Sequence, residues 1–289
     1  MYDIAVLGGD IRHVYMVPFF HNANLSVITY GLSHPMLRNI CVQGISMKET
    51  IEASSILVSS IPFSKDGTTI PSLTSDPDIT VESFTSYASS SQTLFAGMLS
   101  EELKAHCSQN QIQYYDFMED DCVAIANGIA TAEGAIMEAI TKSPDNLHKS
   151  HCLVLGFGRC AKTLAWKLKG LDALVTIAAR NPVDRSLAEA LGFYAIPLTE
   201  LKESIDSYNF IFNSIPALVL DSLLLSKISK ETVIIDIASA PGGVDYVKAK
   251  ELGLNATLSL GIPGRIAPKA SARILADTVL TYLFNRKKG

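Results

Sequence analysis

Residues 153–161 read Leu-Val-Leu-Gly-Phe-Gly-Arg-Cys-Ala, and this stretch decides the fold of the second half of the chain. The spacing Gly-x-Gly-x-x-Ala comes directly after an apolar run and directly before a helix-compatible stretch, Arg159–Lys169. Gly156 permits a tight turn, Gly158 leaves room for a pyrophosphate to approach the backbone, and Ala161 lets helix and strand pack closely. The helix start then offers N–H groups to an anion. The stretch predicts a nucleotide-binding loop, and the strands around it disfavour the alternative of a glycine turn without a ligand.

The second half of the chain alternates short apolar runs with helix-compatible stretches. This alternation predicts parallel strands joined by crossover helices, and nearly continuous apolar runs are typical of strands that are covered on both faces. Six strands make a complete dinucleotide-binding sheet. The predicted strands are Cys152–Leu155, Leu174–Ala178, Phe193–Ile196, Phe210–Phe212, Val233–Ile237 and Ala256–Leu260.

The first half alternates less regularly. We predict an α/β protein of two lobes, with a smaller N-terminal α/β domain on the substrate side at 1–125 and a C-terminal six-stranded Rossmann domain that binds NADP at 126–289. The last helix is expected to pack back on the first lobe. The candidate strands of the first lobe are Ile4–Leu7, Leu25–Thr29, Ile56–Ser60 and Ile112–Tyr115.

A helix at 121–141 is predicted to bridge the two lobes. Its isoleucines recur near helical spacing with small residues between them. The stretch is apolar, but it carries Asn127, Glu133 and Glu138, so we expect a buried helix rather than a membrane span. The isoleucines in question are Ile125, Ile129, Ile136 and Ile140.

The end of the second Rossmann strand discriminates between NAD and NADP, because an Asp or Glu there binds the ribose 2′-hydroxyl group. No carboxylate occupies this position; Arg180 and Asn181 do, and Arg185 follows one turn later. A guanidinium group can form paired hydrogen bonds with a phosphate, whereas a carboxylate would repel it. We therefore predict NADP as the cofactor. The alternative is that Arg180 pairs with Asp184 or caps a surface turn.

Two later loops lie where the nicotinamide ring is expected, since ligands bind at the carboxyl edge of such sheets. One follows the fourth strand at 213–216, and the other follows the fifth at 236–239. The alternative is ordinary turn chemistry at strand ends. The complete set of predicted cofactor-binding residues is Gly156, Phe157, Gly158, Arg159, Cys160, Arg180, Asn181, Arg185, Asn213, Ser214, Ile215, Pro216, Ala238 and Ser239.

Polar residues at the strand ends of the first half are candidates for substrate binding. Asp10 is interpreted as a helix cap or as a polar group that faces a cleft, and Arg12 as an anchor for a substrate carboxylate or as a surface arginine. Ser59 and Ser60 end another strand and could donate hydroxyl groups. On the predicted bridging helix, Asn127 and Glu133 need partners among many apolar neighbours.

Several sequence blocks together resemble the family of dipicolinate synthase A subunits over nearly the full length of the chain. The glycine loop is shared by many dehydrogenases, whereas the Ala-Pro-Gly-Gly and Pro-Gly-x-x-Ala-Pro-Lys blocks are far more specific. The blocks are Ala5–Asp10, Thr131–Gly134, Val154–Arg159, Asn213–Pro216, Asp236–Gly243 and Pro263–Lys269.

The resemblance implies an NADP-linked oxidation in the mother-cell cytoplasm of a spore-forming bacterium. A dihydro- or hydroxytetrahydro-dipicolinate would become pyridine-2,6-dicarboxylate, together with a partner protein, the flavin-type B subunit of dipicolinate synthase. A dicarboxylate substrate needs local cations, for which Arg12, Arg265 and Lys269 are candidates, with Lys269 also in the catalytic set. Glu133 or Asp10 could accept the remaining proton.

Composition excludes other classes of function. The formal net charge is −5 and the only basic block is Arg286–Lys288, so we expect no nucleic-acid partner. The five cysteines show no Cys-x-x-Cys pair, so we expect neither a metal site nor disulfides. The N-terminus lacks the pattern of a secretory signal, which favours a cytoplasmic, non-membrane protein. We also expect a homo-oligomer.

Three rival functions compete with this interpretation. A 2-hydroxy-acid dehydrogenase needs a late histidine as acid–base, and no histidine follows His151. A shikimate-type NADP reductase would need a lysine–aspartate pair, for which only Lys65 and Asp66 in a loop-like segment are available. A non-catalytic NADP-sensing subunit of a two-component synthase stays open.

Overall fold

The computed structural model describes residues 1–286, and its chain forms two compact units. The first unit contains residues 1–124 together with the residues from 267 onward, and the second contains residues 125–266. Each unit is an α/β layer structure built on one six-stranded parallel sheet. The predicted α/β Rossmann-type fold is thereby confirmed.

The first unit has the strand order β3-β2-β1-β4-β5-β6. Its central strands are fully buried because apolar side chains cover both faces of the sheet. The strands are β1 Ile4–Leu7, β2 Val27–Tyr30, β3 Val42–Gln43, β4 Ile56–Ser59, β5 Thr93–Ala96 and β6 Gln113–Asp116. The helices are α1 Ile11–Asn22, α2 Met47–Glu52, α3 Val81–Tyr87 and α4 Glu101–Gln109, with a 3-10 turn at Pro35–Leu37.

The second unit begins within a long helix, α5 Asp121–Lys142, and has the strand order β9-β8-β7-β10-β11-β12. The six predicted strands recur here within two residues at each end. They are β7 His151–Leu155, β8 Leu174–Ala178, β9 Tyr194–Ile196, β10 Phe210–Asn213, β11 Val233–Asp236 and β12 Asn255–Leu258. The remaining helices are α6 Arg159–Gly170, α7 Pro182–Ala190, α8 Ser222–Leu225, α9 Tyr246–Leu252 and α10 Ile262–Ile266, with 3-10 turns at Leu198–Glu203 and Ile205–Ser207.

The first unit is not the simpler one that the sequence predicted, because its sheet also has six strands. Two of them, β3 and β5, were missed. Strand β3 has only two residues and both are exposed, so it carries no apolar pattern. Strand β5 is a buried four-residue run that directly follows a segment rich in Ser and Thr.

The last helix, α11 Pro268–Arg286, packs in the core of the first unit. Ala272, Leu275 and Val279 are fully buried there in the same cluster as Val17 and Phe20 of α1. By packing, the second unit therefore ends at 266, whereas the prediction extended its domain to 289.

Helix α5 buries small residues rather than its isoleucines. Ala132, Ala135 and Ala139 are fully buried in the core of the second unit. Of the four isoleucines in the predicted pattern only Ile136 is buried, and the other three are about half exposed, so the expectation of a buried helix holds for the alanine face alone. By length and composition α5 is the one described helix that could cross a membrane, and more than half of its apolar window is buried in the protein.

Candidate cofactor and substrate sites

The turn between β7 and α6 has the geometry of a phosphate-binding loop. Gly156 adopts a φ of +92°, which favours glycine, and its N–H donates to the carbonyl oxygen of Ala178 over 2.8 Å. A Cβ atom on Gly156 would lie 2.6 Å from Ser214 Oγ. Position 156 therefore accepts glycine alone without distortion of the neighbouring strand end.

Gly158 leaves the start of α6 open. It is the N-cap residue of this helix, and no side chain forms a cap there. A Cβ atom on Gly158 would meet no other atom within 4 Å, so the space above it is free. Uncapped N–H groups and the helix dipole favour an anion at this position. The residues therefore fit the pyrophosphate of a dinucleotide.

The side chains around the loop support it from below. Ala161 is fully buried and lets α6 approach the sheet. Phe157 is buried against Phe193, with ring centroids 6.2 Å apart, and the Lys162 ammonium lies 5.5 Å from the Phe157 ring centre. Burial raises the pKa of the Cys160 thiol, although the charge of Arg159 acts in the opposite direction.

The end of β8 separates the tasks of its two arginines. Arg185 Nη1 donates to the carbonyl oxygens of Ala179 and Arg180, each over 2.9 Å, and thereby fixes the turn. Asn181 caps α7 by accepting from the Val183 N–H over 3.0 Å. Arg180 is exposed and its side chain shows no hydrogen bond or ion pair to any residue within 1–286, so its suggested pairing with Asp184 is not found. Its guanidinium group is available for a ligand.

A buried carboxylate, Asp236, connects the loops after β10 and β11. Asp236 Oδ1 accepts from the Ala238 N–H over 2.9 Å and from Asn213 Nδ2 over 2.8 Å. Asp236 Oδ2 accepts from the Gly243 N–H over 2.7 Å and from the Tyr246 hydroxyl over 2.8 Å. Burial, and then the hydrogen bond to Asp236, raise the pKa of Tyr246 well above its usual range. These contacts satisfy the buried charge and hold the two loops together.

The Pro-Gly-Gly turn is shaped to meet this carboxylate. Gly242 adopts a φ of +86°, and a Cβ atom there would lie 2.6 Å from Asp236 Oδ2. A Cβ atom on Gly243 would lie 2.5 Å from Asn213 Nδ2. The sequence pattern marked this block by its resemblance to a family but did not identify Asp236 as its centre. The signal was an Asp at a strand end followed by two glycines six and seven residues later.

The predicted nicotinamide contacts take different positions in the structure. Asn213 is fully buried, and its amide is used by Ile215 and Asp236, so it shapes the loop instead of facing a ligand. Ser214 donates from Oγ to the Leu155 carbonyl oxygen over 2.8 Å. Pro216 and Ser239 are exposed at the sheet edge, while Ala238 is buried. The backbone of 214–216 and Ser239 therefore remain the better cofactor candidates.

The corresponding edge of the first sheet carries an ion pair between Asp10 and Arg12. Asp10 caps α1, and its carboxylate accepts from Arg12 Nε over 3.0 Å and from Nη2 over 2.7 Å. Arg12 Nη2 also donates to the Ile61 carbonyl oxygen over 2.8 Å. Burial raises the pKa of the Asp10 carboxyl group, but contacts with His13 and Arg12 outweigh it and hold that pKa well below its usual range. Asp10 is therefore a poor proton acceptor and a good support for Arg12.

Ser59 and Ser60 do not present free donors at this edge. Both are buried; Ser59 Oγ donates to the Leu7 carbonyl oxygen over 2.8 Å, and Ser60 Oγ donates to the Phe63 carbonyl oxygen over 3.0 Å. The neighbouring His13 ring is also buried, with Nε2 2.9 Å from the Ser59 carbonyl oxygen. The serine hydroxyl groups therefore stabilise the strand end, and the structure does not support their role in substrate binding.

The polar residues of α5 are distributed over different faces. Glu133 is half exposed and pairs with Lys167 over 2.8 Å. Lys167 lies eight residues after the start of α6, about 12 Å along that helix, so the structure does not support Glu133 as a proton acceptor at the loop. Asn127 is buried, and its Oδ1 has no hydrogen-bond partner within the described chain. It remains a candidate for ligand binding.

The predicted cations near the end of the sequence differ in availability. Arg265 Nη2 pairs with Glu138 Oε1 over 2.9 Å, and the other oxygen of Glu138 accepts from Ser259. Lys269, in the first turn of α11, is exposed. No group of three His, Cys, Asp or Glu side chains that could hold a metal ion occurs between residues 1 and 286.

The sheet order, the glycine loop and the open helix start define a dinucleotide-binding protein of the Rossmann class. The fold matches that of a transhydrogenase from Sinorhizobium meliloti with a TM-score of 0.69, over 97% of this chain and 93% of that one. The two sequences are 14% identical, so this likeness concerns the fold alone.

Residues 3–118 match the family model of the N-terminal domain of the dipicolinate synthase A subunit and belong to that family. The chain is 34% identical over 190 residues to the dipicolinate synthase A subunit of Bacillus subtilis (strain 168), an alignment that covers 66% of this chain and 64% of the relative, slightly less than two thirds of its length. It also matches the crystal structure of the dipicolinate synthase A chain from Bacillus subtilis with a TM-score of 0.89 at 26% identity, over 99% of this chain and 97% of that one. The resemblance seen in the sequence blocks is confirmed.

Proposed function

We propose that this chain is an NADP-dependent oxidoreductase subunit that forms dipicolinate from a dihydro- or hydroxytetrahydro-dipicolinate. The unpaired Arg180 beside an open phosphate loop carries the proposal, because a guanidinium group there suits a 2′-phosphate. The name of the Bacillus subtilis relative supplies the product. As in the family it resembles, the reaction would take place in the mother-cell cytoplasm during spore formation.

The second unit supplies the cofactor site. The N–H groups at the start of α6 would hold the pyrophosphate, and Arg180 the 2′-phosphate. When bound, the oxidised nicotinamide ring accepts a hydride from the substrate. The Asp236 network keeps the loops after β10 and β11 fixed at the edge of the sheet, which limits the positions that a ring can take there.

The first unit supplies a carboxylate anchor. A dianionic substrate needs local positive charge because the whole protein carries a net charge of −5. Arg12 is held in place by Asp10 and Ile61, and Lys269 is exposed. For a dihydro-dipicolinate, loss of one hydride and one proton completes the aromatic ring. The gain of aromaticity favours this step, so the proton can leave to water without a strong protein base.

We propose that the protein works with a flavin-type partner, the B subunit, since the relative is itself named as one subunit of a synthase. A synthase of two subunits leaves a second possibility for this chain, that of an NADP sensor. Two observations keep that possibility open: the depressed pKa of Asp10 and the distance of Glu133 from the phosphate loop remove both proposed proton acceptors.

Transient kinetics separates the two functions. Purified protein is mixed with dihydro-dipicolinate and NADP⁺, and the absorbance of the reduced nicotinamide is recorded with and without the B subunit. A catalytic subunit produces reduced cofactor in amounts that match the dipicolinate formed. A trace that stays flat in both mixtures, from protein that binds NADP⁺ in calorimetry, assigns the sensor role.

Replacement of Arg180 tests the cofactor preference. Arg180→Ala should weaken NADP⁺ binding by about tenfold to a hundredfold, because it removes a charge-assisted phosphate contact, and should leave NAD⁺ binding unchanged. Titration calorimetry of both cofactors measures this difference, with Arg38→Ala, an exposed arginine of the first unit, as the matched control. Equal binding of both cofactors by the unsubstituted protein would contradict the NADP assignment.

A further inference from the structure

Helix α5 carries an exposed apolar stripe on the face opposite its buried alanines. We call this the α5 stripe; it consists of Ile125, Ile129, Glu133, Met137 and Ile140. The four apolar members are exposed to 51%, 48%, 45% and 49%. They recur at three, four or eight residues, so they lie along one side of the helix over about 23 Å.

Two features make this stripe unusual for a free surface. Scattered exposed apolar residues are normal, whereas a continuous row on one helix face is typical of an interaction site. The helix also places alanines inside and isoleucines outside, the reverse of what core packing alone favours. The stripe is therefore expected to lose its contact with water in an assembly.

The order of residues in the stripe identifies the partner. Glu133 lies at its centre, with Ile129 four residues before and Met137 four residues after; Ile125 and Ile140 follow at eight and seven residues. A two-fold interface needs a surface that is complementary to itself. We propose that the α5 stripe pairs with the same stripe of a second copy of this chain, with the two helices antiparallel about an axis near Glu133.

The charges at the centre support a second copy over other partners. Glu133 pairs with Lys167 of its own chain over 2.8 Å, and both side chains remain partly exposed. At a two-fold axis each ammonium group would face the carboxylate of the other copy, so that two pairs form one neutral cluster. A lipid bilayer offers no such complement to a charged pair at the middle of the stripe. This proposal does not depend on the cofactor or on the reaction.

A charge placed in the stripe tests the proposal in solution. The unsubstituted protein should sediment as a dimer at micromolar concentration. Ile129→Glu should weaken the dimer by at least about a hundredfold, because each copy would bury an unpaired carboxylate. Val247→Glu, at a residue of α9 that is 73% exposed, should leave the dimer unchanged. A monomeric unsubstituted protein, or a dimer that tolerates Ile129→Glu, overturns the proposal.

A cross-link tests the orientation of the helices and does not depend on the folding of a charged variant. Glu133→Cys should form a disulfide-linked dimer on mild oxidation, because the two copies of position 133 meet at the axis. Native Cys122 is also exposed on this helix, but it lies eleven residues away, so its two copies would be about 33 Å apart. The unsubstituted protein should therefore not cross-link. Cross-linking through Cys122 instead, or a monomer that floats with lipid vesicles, contradicts the antiparallel pairing.

Discussion

The two units share one strand order but differ at the turn that follows the first strand of each sheet. In the second unit Gly158 leaves the start of α6 without a side-chain cap. In the first unit Asp10 occupies the equivalent place, caps α1 and accepts from the Arg12 N–H over 2.9 Å. A Cβ atom on Gly9 would lie 2.2 Å from the His13 ring, so that turn is filled by the protein itself.

This difference teaches that the sheet alone does not make a nucleotide site. Both sheets place a glycine turn at the point where the strand order reverses, which is where ligands bind in such folds. Only the second turn leaves N–H groups and open space for a phosphate. The first turn holds a carboxylate that would repel a phosphate and an arginine that suits a carboxylate ligand.

The largest expected effect comes from transfer of the first turn's cap into the second. Gly158→Asp should weaken NADP⁺ binding by at least about a hundredfold, because a carboxylate would occupy the pyrophosphate position. The same change should leave the melting temperature equal or slightly higher, since Asp is a good N-cap residue. Titration calorimetry and thermal unfolding measure both effects.

Gly158→Ala is the matched control for that experiment. Its added methyl group meets no protein atom, so stability should stay within about 0.5 kcal/mol, and any loss of binding then reports the approach of the ligand to the backbone. If Gly158→Asp binds NADP⁺ as well as the unsubstituted protein does, the turn is not the phosphate site and the contrast between the units has no functional meaning.

The next effect concerns the strand ends beside the turn. Asp236 ends β11, whereas β5, in the same position of the first sheet, ends at Ala96. Asp236→Asn should lower the free energy of unfolding by about 2 kcal/mol, because an amide group would present donors to N–H and O–H groups that need an acceptor. Tyr246→Phe removes one contact and should cost about 1 kcal/mol. Chemical denaturation of both variants that shows no loss would rule out the carboxylate as the link between the loops.

The smallest effect is the pH dependence of the cap in the first unit. Because the folded state holds the pKa of Asp10 below its usual value, the carboxylate stabilises the fold above about pH 4, and this stability is lost as the pH falls further. Asp10→Asn should cost about 1 kcal/mol at neutral pH, a modest value because the side chain is 43% exposed. The difference between the two proteins should shrink in acid; a difference that is independent of pH contradicts the role of the charge.

Local patterns predicted the second unit well. The turn at 156–158 and the strands around it could be read because the motif, the apolar runs and the helix are contiguous in sequence. Strand β3 could not, since two exposed residues carry no periodicity. Whether Arg180 pairs with Asp184 also depends on side-chain placement, which spacing does not specify.

The errors at the site have one physical origin. The sequence places Ser59 and Ser60 at the end of a strand, but it does not tell where their hydroxyl groups point, and both donate to backbone carbonyl oxygens. The role of Asp236 was missed because its partners are spread over 213–246. The isoleucines of α5 follow helical spacing, yet periodicity does not distinguish a face buried in the core from one that remains at the surface.

The uncapped start of α6 also makes the stability of this protein a function of its environment. A side-chain cap would contribute about 1 kcal/mol to the helix at all times. With Gly158 in its place, that stabilisation is left to a dissolved anion and follows mass action, so that a ligand at about a hundred times its dissociation constant adds about 2.7 kcal/mol. Starved of its coenzyme, the second unit should be the first part of the chain to yield to heat or proteolysis.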